Sequence, residues 1–210
     1  GWSSLGSCTT GNYNTAYGHV TLDATTTQSA NTAMGYSALN QNVADNNTAV
    51  GYNSLTVNTT GGENTAVGYA ALGANTTADK NTAVGMSALT ANTTGANNTA
   101  VGHNSLDANT EGGLNTAVGS ASLGSNTTGV ENTAVGVSAL TANTTASYNT
   151  GMGRSALATN TTGANNTAVG YDALNANTTG AHNTAVGTSA GVSVTTGTNN
   201  TLIGSRAGDA

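Results

Sequence analysis

Three histidines, nine carboxylates and one cysteine are the side chains with reactive chemistry in this chain of 210 residues. Whether that chemistry converges depends on spacing. The tightest set is His103, Asp107 and Glu111, four residues apart in sequence. An imidazole and two carboxylates are the right types for a metal ligand set or an acid–base pair. Catalysis, however, needs a convergent nucleophile or substrate-positioning group as well, and nothing nearby offers one. His19 and His182 stand far away in sequence, and Cys8 has no partner for an internal disulfide. The "GMG" around Gly151 and Gly153 lacks the strand–turn–helix setting of a phosphate loop. The expectation is no enzyme, no cofactor and no metal, with the His103 group a solvated edge.

Composition narrows the partners. Charged residues are 6% of the chain and aromatics 4%, and there is no proline or phenylalanine; ordinary soluble domains carry about a quarter charged residues. Lys80, Arg154 and Arg206 are the only basic side chains in a chain of net charge −6. A nucleic-acid partner requires a cationic footprint, which is missing. No apolar run is long enough to span a bilayer, so no membrane insertion is expected.

What the chain does have is a repeated phrase, such as "NTAVGMSALTANTTGAN" at 81–97. Its leading Asn recurs at 14, 31, 47, 64, 81, 98, 115, 132, 149, 166, 183 and 200, with ten intervals of 17 residues and one of 16. Helical repeats run from about 33 residues upward, and Gly, Thr and Asn are poor helix-interior residues. The period predicts an all-β, parallel β-solenoid of about twelve coils, one per repeat. It forms a single domain over 1–210: a partial coil at 1–13, eleven repeats at 14–199 and a partial coil at 200–210.

Lettering the slots a to q from that Asn exposes what each position demands. Slot b is Thr and slot e Gly in all twelve copies; slot d is Val in eight, and slot i is Leu from Leu22 to Leu174. Cys8 falls in slot l, where Asn is usual, which favours a structural substitution over the lipoprotein cleavage signal that "LGSC" suggests. Strand alternation places Leu (i), Ala (k) and Thr (m) inside, with h, j, l and n outside. In the a–d strand it places Thr (b) and Val (d) inside, with Asn (a) and Ala (c) outside or in a subunit contact. The Gly of slots e and o mark turns needing positive φ or close backbone approach. One Leu and one Val per coil bury too little to order seventeen residues. Stacked backbone bonds and Asn and Thr ladders must supply the rest.

The phrase "NNTAVG" at 46–51, 97–102 and 165–170 resembles the "NTAVG" or "NTAIG" repeats of phage tail-fibre-like and bacterial surface proteins. It is also similar to the head repeat of trimeric autotransporter adhesins, whose period is nearer 14 residues. The resemblance covers nearly the whole chain and implies a left-handed, trimeric β-roll used as a fibre shaft or adhesive head.

Two surfaces are candidates for recognition. Slot f carries an aromatic-rich row, Trp2, His19, Tyr36, Tyr52, Tyr69, His103 and Tyr171, suited to subunit contact or to a host-surface glycan or protein. The second is the row expected to face out from slots l and n: Asn58, Asn75, Asn92, Asn126, Asn143, Asn160 and Asn177, with Thr60, Thr77, Thr94, Thr128, Thr145, Thr162 and Thr179. Those Asn residues sit in "NTT" sequons and are candidate glycan acceptors. The same Thr/Asn row resembles the flat array of ice-binding solenoids. The chain also starts in slot e and stops at Ala210 in slot k with no capping segment, which suggests an excised shaft piece or end-to-end stacking. The leading expectation is an extracellular, cell-surface or virion-associated structural fibre or filament that partners itself as a homo-oligomer. The alternative is an ice-binding solenoid.

Overall fold

A computed structural model describes residues 1–209; Ala210, the end of the expected final partial coil, lies outside the described residues. The protein is an all-β parallel solenoid of about eleven turns. β1 (Thr15–His19) and β2 (Thr32–Tyr36) are followed by ten three-residue strands, β3 (Thr48–Val50) through β12 (Thr201–Ile203). They form one twelve-stranded sheet in strict chain order, each strand starting at a slot-b Thr paired with the next, as in Thr82↔Thr99. The ladder continues past the strands. Ser87 donates to the Tyr69 carbonyl at 2.9 Å and Leu89 to the Ser105 carbonyl at 3.0 Å, one coil to either side. At about 4.8 Å per coil the sheet stands roughly 58 Å tall.

The Leu column points inward as the pattern required: every slot-i Leu from Leu22 to Leu174 is fully buried. The rest of the interior differs from simple alternation. In the strand, Asn (a) and Ala (c) are buried and Thr (b) and Val (d) face out; Ala83 is fully buried while Val84 is exposed. Space decides this. A Cβ on Gly151, a slot-c glycine, would lie 3.3 Å from Leu140 Cγ, so the interior opposite Leu admits a methyl group and not a valine. The last coil exchanges the two roles. Leu202 occupies slot c, and Cβ atoms on Gly191 and Gly208, the slot-i residues, would run into its methyls. Volume is conserved while its source changes sides.

Beyond the strand, alternation fails for another reason. Slots g, i and q hold left-handed residues in coil after coil, for example Ser87 at φ 57°, Leu89 at 51° and Asn97 at 60°. Each such residue turns the chain and resets which side chain faces in. Slot h is therefore buried next to slot i, as Ala88 beside Leu89, and Ala (k) and Thr (m) are only half-buried. The slot-e glycines do carry positive φ, 138° at Gly85, in a region essentially closed to other residues. Slot o does not, and it does not require glycine: a Cβ on Gly95 would press on the Asn92 carboxamide and the next coil's backbone, yet Ala44, Ala78 and Ala146 fill the same slot in other coils.

The other half of the interior is made of asparagine. From Asn58 to Asn177 each slot-l Nδ2 donates to the Oδ1 of the Asn one coil earlier, as Asn92 to Asn75 at 2.9 Å and Asn109 to Asn92 at 2.8 Å. The slot-a Oδ1 accepts from the next coil's slot-a N–H, as Asn81 from Asn98 at 2.9 Å. Both Nδ2 groups of a coil also meet on one inward carbonyl: Gly95 accepts from Asn81 and from Asn92, each at 2.9 Å. The ladder stops where slot l becomes Val194, and Asn177 Oδ1 is left buried without a partner. At the other end Cys8 Sγ takes the Asn role weakly, 3.7 Å from the Gly11 carbonyl. The 16-residue coil omits slot n: Val43 still donates to the Thr59 carbonyl at 2.9 Å, and Thr32 still pairs with Thr48.

Asn109→Ala removes the donor to Asn92 Oδ1 and opens a small void. It is expected to lower unfolding free energy by about 3 kcal/mol in urea melts, while Thr94→Ala on the outside stays within about 0.5 kcal/mol.

Candidate functional site

Because the interior satisfies itself except at Asn177 Oδ1, and no pocket opens among the described residues, any site lies on the outside of the coil. The two rows read from the sequence fare differently there. The slot-l residues Asn58, Asn75, Asn92, Asn126, Asn143, Asn160 and Asn177 are fully buried, which corrects their placement on an outward row. Their Nδ2 atoms are committed to the ladder and to slot-o carbonyls, as Asn160 to Asn143 and Gly163 at 3.1 and 2.9 Å. In the folded rod none of them is presented on an outward face. Their partners in that row, Thr60, Thr77, Thr94, Thr128, Thr145, Thr162 and Thr179, are exposed. They form one column with no neighbouring Asn file, so the expected two-dimensional array is absent. The adjacent slot-m hydroxyls are tied down, as Thr93 Oγ1 to the Thr110 carbonyl at 3.0 Å.

The slot-f row is exposed, and at one end it is a true stack. Trp2, His19, Tyr36, Tyr52 and Tyr69 follow one another at centroid separations of 5.5, 5.2, 5.1 and 5.3 Å, with interplanar angles from 2° to 24°. The ring faces a sugar would stack on are thus turned to each other, leaving edges and hydroxyls outward. His103 and Tyr171 do not join this stack; the Arg154 guanidinium lies over the Tyr171 ring at 5.7 Å.

Next to slot f, across the slot-e glycine, runs the Val column of slot d, and beyond it the Thr column of slot b. Of nineteen exposed large hydrophobic side chains, fifteen belong to slots d and f. All nine carboxylates lie outside b, d and f, where Arg154 is the one formally charged side chain. The slot-b Thr residues are half-exposed on the strand face, and their hydroxyls bond no protein atom among the described residues. This face was missed from the sequence because Thr and Val were assigned inward. The signal available was that slot c never exceeds Ala until the Leu202 exchange.

His103 and Asp107 lie in one coil, His103 exposed and Asp107 half-buried. Burial pushes the Asp107 carboxyl above its usual range, opposed by backbone N–H groups at 107 and 108 and by His103. Among the described residues no three His, Cys, Asp or Glu side chains gather closely enough to hold a metal ion, no pocket is formed, and no helix is long and apolar enough to cross a membrane. No protein-family profile, curated protein or solved structure matches the chain.

A carboxyl whose folded pKa is raised binds its proton more tightly in the folded state, so stability falls as pH rises above 3.8, its unperturbed value. Asp107→Asn is expected to raise stability at neutral pH and to flatten the fall above pH 3.8, read from urea midpoints between that pH and neutrality.

Proposed function

We propose that this chain is a segment of a structural fibre, acting outside the cell or on a virion, and that it associates with copies of itself through the face formed by slots b, d and f. The observation carrying this reading is the segregation of exposed apolar side chains to two adjacent columns along a rod whose interior is already complete. A monomeric soluble protein scatters such residues or keeps the largest apolar patch small. Here the face is about 58 Å long and about 13 Å wide, from strand spacing and rise. Its area of roughly 750 Å² is close to the roughly 800 Å² per partner of a standard interface. Like columns repeat at one pitch on both copies, so rods laid side by side interdigitate wherever they meet, and many weak contacts sum to avidity. Freedom from carboxylates removes the desolvation penalty that would oppose such contact.

A second reading is favoured by one observation on the same face. The slot-b hydroxyls form a straight file, unpartnered within the protein, beside a parallel file of valine methyls on a rigid sheet. Such a surface orders water at fixed intervals, the property by which a protein adheres to ice. This replaces the residues of the outward row expected from sequence with Thr82, Thr99, Thr116 and their equivalents.

Light scattering and negative-stain images are expected to show oligomers or filaments. Val101→Lys with Val118→Lys should reduce them to single rods, while Thr94→Lys with Thr128→Lys, exposed in slot n outside that face, should not; a wild-type chain that is a lone short rod at all concentrations removes the reading. For the second reading, the single-rod form is expected to show thermal hysteresis that Thr99→Lys with Thr116→Lys abolishes. No hysteresis at high protein concentration dismisses it.

A further inference from the structure

Eleven Asn-X-Thr sequons occur in the chain, and the solenoid sorts them into two kinds. Seven are the buried slot-l asparagines. The other four read Asn-Asn-Thr, at Asn46, Asn97, Asn165 and Asn199, and their acceptor Asn stands in slot q. Slot q is a corner. All twelve of its residues from Tyr13 to Asn199 have left-handed φ, between 55° and 62°, and all are exposed. Asn tolerates that conformation better than most residues, which accounts for its recurrence without requiring any modification.

Two further facts point to a reactive group. The carboxamides of Asn46, Asn97 and Asn165 bond no protein atom among the described residues, and Asn199 Nδ2 makes only a long contact of 3.4 Å to Thr198. The third residue of each sequon, Thr48, Thr99, Thr167 or Thr201, belongs to the slot-b file, whose hydroxyls face outward and are also unpartnered. Between them the slot-a Asn turns inward, so the carboxamide and the hydroxyl of each sequon are presented together on the outside. In the slot-l sequons the carboxamide is locked and the third residue is the exposed slot-n Thr, so only half the motif is offered.

We propose that Asn46, Asn97, Asn165 and Asn199 are acceptor sites for N-linked glycan, and that the seven slot-l sequons are not. The donor class is an oligosaccharide carried on a polyprenyl pyrophosphate. A bond forms between Asn Nδ2 and the sugar C1, the C1–O bond to pyrophosphate breaks, Nδ2 gives up one proton, and the lipid pyrophosphate leaves. The sites fall along one edge, separated by three, four and two coils, or about 14, 19 and 10 Å. That edge borders the slot-b file, so glycans there would flank the face described above; the assignment itself does not depend on self-association.

The test is secretion of the chain from a eukaryotic host that modifies Asn-X-Thr. Soluble protein with a cooperative thermal transition is treated with peptide N-glycosidase in heavy-oxygen water and mapped by mass spectrometry. Labelled aspartate is expected at 46, 97, 165 and 199 and at none of 58, 75, 92, 126, 143, 160 and 177. Each single Asn→Gln change at slot q should remove one glycan equivalent in gel mobility, and the fourfold variant should migrate as unmodified protein with an unchanged circular dichroism spectrum. Four unmodified corners, or label on slot-l asparagines in protein that still melts cooperatively, would overturn the proposal.

Discussion

One inward-pointing carbonyl per coil organises this molecule. In nine successive coils, from Ala44 to Gly180, it accepts both a slot-a and a slot-l carboxamide. A buried amide without partners is costly, and a coil this narrow cannot satisfy two of them from its own atoms. The remaining donors and acceptors come from the coil above or below. Apolar burial in each turn is one Leu and two methyl-sized side chains, too little to order seventeen residues. Neighbouring coils thus supply the missing partners in exchange, and the stack, not the single coil, is the folding unit. The orphaned Asn177 Oδ1 marks where that supply ends.

Filling the interior with Asn and Ala has an effect outside. The strand must turn its larger residues, Thr and Val, to the surface, because the cross-section holds only a methyl opposite Leu. An apolar face therefore arises from the packing of the core. Its neighbours in slot f sit just past a glycine whose φ no other residue adopts comfortably, which aligns successive rings into a stack five members long. Apart from Arg154, charge is confined to corners and to the remaining side of the coil.

Period, architecture and the Leu column were legible because they need only spacing and one unambiguous hydrophobic residue. The faces were less so. Alternation holds only while φ stays negative, and the left-handed residues at slots g and i break it within a segment that reads as one strand. Nothing in Ser87 or Leu89 announces that conformation, since a leucine is among the last residues expected there. Asn92 read as a surface residue because a polar side chain in isolation belongs in water; its burial depends on Asn75 and Asn109, 17 residues away on either side. That identical residues recur at this interval was visible, yet recurrence alone does not say whether a ladder runs inside or outside. The Asn-Asn-Thr corners escaped notice for the complementary reason, their exposure being set by a turn that only the fold displays.

The shortened coil between Asn31 and Asn47 shows that the circumference is adjustable at slot n. A residue is missing there; the strand register and the bond to the following coil persist, and on the preceding side the Thr26 and Thr27 N–H groups donate to the Gln28 side chain in place of the shortened coil's carbonyl. Chain looped out at the same point, of whatever length, would project sideways while every column stayed aligned. The rod is in that sense a scaffold with one free margin, along which unrelated segments could be displayed at a common pitch.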